Sequence, residues 1–198
     1  KVELSGEVDS GSLNGIGIDE VFVLATMQDH VIQIQRIQGA KGGYKLSIYG
    51  KIPLAALYTS GYIEASNAKS MDVTIDFNEA DMAVIPLVTT SVKEATGPLK
   101  GVIRLTGTVE QPEAYGTVSV RNGTMKLANV DNEITGIDGD LIFSGQQGDF
   151  QSRINMGKGS AGLAAKVNWS GHELTNYKAA VQLDGLDVRS EYIRGPLN

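Results

Sequence analysis

The stretch that decides the fold reads Gly-Pro-Leu-Lys-Gly-Val-Ile-Arg-Leu-Thr-Gly-Thr-Val-Glu-Gln-Pro-Glu-Ala-Tyr-Gly-Thr-Val-Ser-Val-Arg-Asn-Gly over residues 97–123. Apolar residues alternate with polar ones in two of its segments, as Ile103 and Leu105 do in the first. Alternation with a period of two places one set of side chains on one face of a β-sheet. Asn122-Gly123 is typical of a tight hairpin, because both central residues of that turn need positive φ. The stretch therefore predicts antiparallel strands.

The same alternation recurs from end to end of the chain. Short clusters of Gly, Asn, Asp and Ser separate the alternating segments, as expected for strands joined by turns. The clearest further segments are Ile32-Ile34, Tyr44-Leu46-Ile48, Val73-Ile75-Phe77, Val118-Val120, Met125-Leu127, Leu141-Phe143, Phe150-Ile154, Leu163-Val167-Trp169 and Tyr177-Val181-Leu183. The sequence predicts a mostly β protein of antiparallel strands, arranged either as an ordinary β-sandwich or as an elongated, curled antiparallel sheet that does not close.

Two places break the alternation and predict short helices. Pro53 is suited to a helix start, so we expect one turn over residues 54–58, ending at Gly61. A longer helical insert is expected over residues 78–96, with Asn78 as its cap and Pro86 as a kink.

The chain also resembles itself. Gly17-Ile18-Asp19 followed by an apolar strand returns as Gly136-Ile137-Asp138 at an offset of 119 residues. Imperfect repeat halves are therefore expected at about residues 13–60 and 132–183, within a single segment covering residues 1–198. Such a repeat favours an elongated array over a closed globule.

Composition excludes several classes of protein. The 198 residues carry 17 basic and 23 acidic side chains, a net charge of −6, so phosphates meet no continuous positive field and nucleic acid is not an expected partner. Cysteine is absent, which excludes disulfides and thiolate metal sites. The chain opens on strand-like residues without an initiator Met, so we expect a piece of a longer protein whose targeting signal lies outside it.

No constellation of residues predicts catalysis, a metal site or a cofactor. His30 and His172 are isolated and fall in expected turns. The Gly-rich pieces at residues 39–43 and 157–159 lack the Gly-Lys-Ser/Thr ending of a phosphate loop, and turns are the better interpretation. An acidic cluster, Asp131, Glu133, Asp138 and Asp140, suggests Ca²⁺ or a carboxylate pair for glycoside hydrolysis, with solvated strand-edge charges as the alternative.

What remains is the apolar face of the sheet, which forms either an ordinary core or a groove for apolar ligands. Residues at the apolar positions of the alternating segments are the candidates for lining such a groove, and for each of them plain core packing is the alternative. These candidates are Ile32, Ile34, Leu46, Ile48, Val73, Ile75, Ile103, Leu105, Val118, Val120, Met125, Leu127, Leu141, Phe143, Ile154, Leu163, Val167, Val181 and Leu183.

The order of these elements resembles the repeat of the TamB and AsmA-like envelope proteins. In residues 97–123 the shared skeleton is a Gly-led strand, Gly107-Thr108, Pro112, Gly116, an alternating strand and Asn122-Gly123. The expected helix before it, and residues 134–143 and 157–159 after it, also follow that family's order. The resemblance is best over residues 72–183.

The resemblance implies a β-taco, a U-shaped sheet with a hydrophobic groove that carries phospholipid acyl chains between the inner and outer membranes. It also implies a place in the periplasm of a diderm bacterium, with the parent chain anchored in the inner membrane. Other parts of the parent chain would meet an Omp85-type outer-membrane barrel.

Two further functions stay open. One is a scaffold that holds strands of outer-membrane β-barrel proteins by β-augmentation. The other is a carbohydrate-binding or adhesive β module that uses Asp138 and Asp140.

Overall fold

About 80% of the structure is β-strand. The computed structural model describes residues 1–13, 16–41, 44–57, 70–156, 158–189 and 194–197. Twelve strands form one antiparallel sheet, and helical structure is confined to two short segments of the described chain. The predicted mostly β fold is confirmed.

The strands follow one another along the sheet almost in chain order. They are β1 (Val2–Leu13), β2 (Ile16–Gln28), β3 (Val31–Lys41), β4 (Tyr44–Pro53), β5 (Met71–Glu79), β6 (Val92–Thr96), β7 (Leu99–Gly107), β8 (Pro112–Leu127), β9 (Ile134–Gly145), β10 (Gln147–Met156), β11 (Gly159–Ser170), β12 (Glu173–Asp184), β13 (Leu186–Arg189) and β14 (Arg194–Leu197). The sheet order is β1-β2-β3-β4-β5-β7-β8-β9-β10-β11-β12. β6 pairs with the end of β8 beyond β7, and β13 and β14 pair with each other. Within the described residues β1 and β12 each pair on one side, so both edges of the sheet are open.

β-Bulges keep the apolar residues on one face where the sequence departs from a period of two. Ile34 and Ile37 are three residues apart, yet both lie on the less exposed side, because Gln35 and Arg36 between them both point to solvent at a register shift. An extra residue in one strand is what defines a bulge. Without it, a one-residue slip would turn every following side chain to the other face.

The hairpin predicted at Asn122-Gly123 is wrong. β8 continues through this dipeptide, which instead forms a bulge with register shifts on both sides. Asn122 does have positive φ, 52°, as the sequence predicted, but this conformation serves a bulge within β8 and not a hairpin turn. A side chain at Gly123 would lie 2.5 Å from Met82 Sδ, so this glycine lets Met82 pack directly on the strand.

The long helix predicted over residues 78–96 is also wrong over most of its length. β5 continues to Glu79, a 3₁₀ turn covers Met82–Val84, α1 covers Ile85–Val88, and β6 begins at Val92. Pro86 lies in the first turn of α1, where a proline is favoured, so it helps to start this helix and does not kink a longer one. Val92 and Ala95, three residues apart, are both buried because β6 also contains a bulge, at which Lys93 and Glu94 are both exposed.

The earlier predicted helix is shorter than expected. A 3₁₀ turn covers Leu54–Ala56 after Pro53, and the expected end at residues 58–61 lies outside the described residues. Of the Gly-rich pieces predicted as turns, residues 39–41 belong to β3, Lys158 lies in a turn and Gly159 begins β11, while residues 42, 43 and 157 lie outside the described residues. The two similar stretches of the predicted repeat lie in β2 and β9, each followed by its hairpin partner.

Among the described residues we find no helix with the length and apolar character of a membrane span.

Asp81 fixes the helical segment to the sheet. Its carboxylate is 3% exposed and accepts hydrogen bonds from Ala83 N and from Gly97 N, both at 2.9 Å. The backbone adds Met82 N to Gly97 O at 2.8 Å and Leu99 N to Ala80 O at 3.0 Å. These bonds hold the start of the helical segment against the junction of β6 and β7.

A cluster of buried hydrophobic residues lies under this segment. Met82 and Ala80 pack with residues of β6, β7, β9, β10 and β11, and Val84 and Ile85 pack against the same cluster. The helical segment and β6 therefore form a cover, here called the upper cover, over one end of the sheet's apolar face.

Loss of the Asp81 carboxylate should loosen the upper cover. Asp81→Ala leaves two backbone N–H groups without their acceptor, and each buried unsatisfied donor costs about 1–3 kcal/mol, so we expect unfolding to become easier by about 2–5 kcal/mol. The measurement is the free energy of unfolding from urea titration. Glu79→Ala, two residues away and exposed, is the control and should stay within about 0.5 kcal/mol of the parent.

Candidate functional site

The apolar face of the sheet is the candidate site, and the strand register defines it. Directly opposed residues of antiparallel strands point to the same face, so a row of partners can be followed from strand to strand. One row crosses eleven strands, from β1 to β12: Gly6, Val23, Ile37, Ile48, Ile75, Ile103, Gly116, Phe143, Gly148, Val167 and Tyr177. We call the surface that contains this row the inner face.

The inner face is apolar across its whole width. A parallel row reads Leu4, Ala25, Ile34, Gly50, Val73, Leu105, Ala114 and Gly145. A third reads Gly101, Val118, Leu141, Phe150, Ala165 and Ala179. These three rows contain no ionisable side chain except the phenol of Tyr177. With strands about 4.8 Å apart, the first row is about 48 Å long.

The described strands provide no second sheet over the middle of this face. They pack against their hydrogen-bonded neighbours, while β6 packs against the helical segment and β13 lies near β10 and β11. Ile48, Ile75, Ile103, Phe143 and Val167 accordingly remain half-buried instead of fully buried. An apolar strip of this length left partly open to solvent is unusual for a folded domain.

The two long sides of the strip differ in what borders them: the upper cover lies along one, called the upper side, and turns between strands lie along the other, called the lower side. At the upper side, part of the face lies beneath the upper cover, and a small apolar cavity of ≈ 80 Å³ remains beside it, lined in part by Gly39, Tyr44, Leu46, Ala80 and Val84. Lipid-sized ligands are much larger than this cavity, so the cavity itself is not the candidate site.

The lower side is a rim of turns tied by hydrogen bonds. Leu54 N donates to His30 O at 2.7 Å, and Val109 N donates to Ala56 O at 3.0 Å. Farther along, Gly171 N donates to the side-chain oxygen of Gln111 at 3.1 Å. These bonds join turns that are distant in sequence and keep the strand ends in one line.

Trp169 is the most informative side chain on this rim. Its indole Nε1 donates to Pro112 O at 3.0 Å, which joins β11 to β8 across two intervening strands. Its ring meets Phe143 edge to face with centroids 6.1 Å apart. The indole therefore lies over the inner face next to the longest apolar row, and it is the single tryptophan of the sequence.

The structure places the predicted lining residues on this one side of the sheet, in two groups. The first group belongs to the cluster beneath the upper cover or packs against it: Leu46, Val118, Val120, Met125, Leu127, Ile154, Leu163 and Leu183. The second lies outside that cluster: Ile32, Ile34, Ile48, Val73, Ile75, Ile103, Leu105, Leu141, Phe143, Val167 and Val181. For the first group, the cover supplies core contacts that the sequence did not predict.

Some inner-face residues were missed by the sequence reasoning. Val23 and Ile37 belong to the long row, but bulges next to them hide the period of two. Gly116 and Gly148 flank Phe143 in the row, and a Cβ at Gly116 would collide with Val102 O. Only strand register reveals such glycines as part of a face.

Two ion pairs stand on the outer face of the sheet. Asp72 receives two hydrogen bonds from Arg104, at 2.7 and 2.8 Å, and this guanidinium holds the pKa of the Asp72 carboxyl below its ordinary value. Lys166 lowers the pKa of Asp149 in the same way through a contact of 3.0 Å. Both pairs stand on the side opposite to the apolar rows.

The acidic cluster does not form a site for a cation. Asp138 accepts a hydrogen bond from Asn122 N at 2.9 Å, and Asp140 accepts one from Arg121 at 2.7 Å. Among the described residues no group of three or more His, Asp or Glu side chains is arranged to hold a metal. Local partners therefore account for Asp138 and Asp140.

Comparison with known proteins adds no relative. The chain matches no protein-family model, no curated protein and no solved structure. The site is therefore defined by its geometry.

The outer-face ion pair should make stability depend on pH. Because Arg104 lowers the pKa of Asp72 below 3.8, the pair stabilises the folded chain above that pH, and the stabilisation is lost as the pH falls through the lowered pKa. We expect the urea midpoint to fall more steeply for the parent than for Asp72→Asn between about pH 5 and pH 2. Glu7→Gln on β1 controls for removing a carboxylate, and an equal slope in parent and Asp72→Asn would contradict the expectation.

Proposed function

We propose that the inner face carries acyl chains of phospholipid and that this chain is one section of a lipid conduit between the two membranes of a bacterial envelope. The observation that supports the proposal is the apolar row of eleven strands, left half-buried at its centre. The resemblance to the TamB and AsmA-like envelope proteins points in the same direction.

The dimensions suit an acyl chain. The row is about 48 Å long, whereas one leaflet of a bilayer has a hydrocarbon depth of about 15 Å. Acyl chains lying along the row would leave their polar head groups at the open side, in water. Each methylene removed from water contributes about 0.8 kcal/mol, so a chain is held along its whole length.

The chemistry of the row favours movement over fixed binding. Successive strands offer Val, Ile, Phe or Gly to the ligand, and none of the three rows presents an ion pair at which a head group would stop. Contacts of similar strength at each step give a flat free-energy profile, since burial of apolar surface is non-directional. Such a surface binds a chain and lets it slide, with no chemical step.

A pair of neighbouring variants tests the proposal. Ile103 belongs to the long row, and Val102 beside it points to the outer face. The protein is incubated with vesicles of phosphatidylcholine whose acyl chains carry bromine, the vesicles are pelleted, and the fluorescence of Trp169 in the supernatant is measured.

We expect bromine to quench Trp169 in the parent and in Val102→Asp. Quenching should be lost in Ile103→Asp, because a carboxylate on the inner face is costly beside an acyl chain. Unbrominated vesicles are the control for non-specific changes, and solvent extraction of the supernatant identifies the lipid. Equal quenching in both variants would contradict the proposal, and so would unfolding of Ile103→Asp alone, which would mark the inner face as a closed core.

Strand augmentation is the second candidate function, and the open edge of β1 supports it. Val2, Leu4 and Val8 on this edge are exposed, and Glu3 and Glu7 lie on the other face of the same strand. Such an edge can accept an extended strand through its backbone, as in β-augmentation. Photo-crosslinks from Leu4 to strands of outer-membrane proteins, with none to lipid, would favour this function over the conduit.

A further inference from the structure

The second open edge of the described sheet, β12, has no strand paired beside it in residues 185–189 or 194–197, the described continuation of the chain. Tyr177 is 74% and Val181 59% exposed, although both belong to the apolar side of the strand. After Gly185, whose φ is 60°, the chain turns away, and β13 lies near β10 and β11 instead of beside β12. The backbone groups on the outer side of β12 are thus open to another strand.

From Asn176 to Leu183, β12 also lacks the features that usually protect an edge, and its one register shift with β11 lies before this stretch, between Leu174 and Asn176. Residues 174–183 contain no proline, and their one charged side chain, Lys178, points to the outer face. Natural edge strands are commonly blocked by proline, by an inward-pointing charge or by a covering element. An edge of this kind is suited to pairing.

We propose that two copies of this chain pair through β12, antiparallel, about a two-fold axis that passes near Val181. A two-fold axis normal to the sheet places β12 beside its symmetry mate and keeps both inner faces on the same side. The same surface is used by both copies, so the assembly closes as a dimer.

Charge selects the register. When Val181 opposes Val181 of the second copy, Lys178 opposes Asp184 twice, once on each side of the axis. The apolar contacts in this register are Val181 with itself and Ala179 with Leu183. Registers that move the axis to Lys178, Ala179 or Ala180 bring Lys178 opposite Lys178, Ala180 or Gln182, and so give no opposite-charge pair.

The interactions that hold the dimer together differ from those that set its register, as their free energies show. An exposed ion pair contributes at most about 1 kcal/mol, so Lys178 and Asp184 supply little of the affinity. Backbone hydrogen bonds and burial of Val181 and Leu183 supply the rest. Like charges directly opposed are unfavourable, so reversing one partner should matter more than removing it.

β1 does not offer the same self-pairing. Its outer-face residues include Glu3, Glu7 and Asp9, and a second copy of β1 would bring these acids opposite one another in registers that overlap most of the strand. The two edges therefore differ in chemistry, and the inference is confined to β12.

Charge reversal with rescue tests the inference. The mass of the purified chain is measured by light scattering across a range of protein concentrations, against 21.0 kDa for one copy. We expect the parent to reach twice that mass at high concentration, and Lys178→Glu and Asp184→Lys each to need a concentration about tenfold higher to do so, because each reversal opposes like charges twice. The double variant Lys178→Glu/Asp184→Lys restores the pair with its signs exchanged and should restore the dimer, whereas Glu3→Lys on β1 should leave the dimer unchanged.

A disulfide provides a second readout, because oxidation traps the dimer even where little of it is present at any moment. The chain has no cysteine, so Val181→Cys introduces a single thiol at the proposed axis. Cross-strand Cβ atoms lie about 4.5–5.5 Å apart, close enough for a disulfide after a small adjustment. We expect crosslinked dimer from Val181→Cys and background levels from Val8→Cys on β1. A parent that stays monomeric at every concentration, a dimer unaffected by both charge reversals, or a dimer lost in Glu3→Lys would each overturn the inference.

Discussion

The structure depends on one constraint, the register that keeps apolar side chains on the same face through eleven successive antiparallel strands. A slip of one residue at any pairing would send every later apolar residue to solvent. The register survives several irregularities because each is absorbed by a bulge, as between Ile34 and Ile37 or between Val120 and Gly123. The bulged residues, among them Arg36 and Arg121, point outward and carry the polarity.

That constraint explains why the sheet has an apolar strip with protected sides. Hydrogen bonds between turns, with Trp169 reaching Pro112, hold one side in line. Asp81 fixes the upper cover along the other side by accepting hydrogen bonds from two backbone N–H groups. Between them the centre of the inner face stays half-buried. In a closed core, a second layer of structure would cover the centre of the inner face, whereas a ligand-binding trough leaves that centre open. The proposed lipid-carrying function rests on the open centre.

Much of the fold follows from sequence, and the failures share one cause. Period-two alternation, as in Ile103 and Leu105, predicts the strands and their apolar face. Residues 92–96 were placed in a predicted helix and Asn122-Gly123 in a predicted hairpin, but both places lie in strands with bulges, which only the partner strand reveals. For the same reason the upper cover could not be foreseen, since its contacts join segments far apart in the chain.

The most direct test of the open inner face is the rate at which a thiol placed on it reacts in the folded protein. Because the chain has no cysteine, Ile103→Cys can be compared with Ile137→Cys in the buried cluster and Val102→Cys on the outer face. We predict that a maleimide labels Ile103→Cys in the native state at a rate close to that of Val102→Cys, while Ile137→Cys reacts only when the chain unfolds. Protection of Ile103→Cys equal to that of Ile137→Cys would contradict an open inner face and show that the face is a closed core.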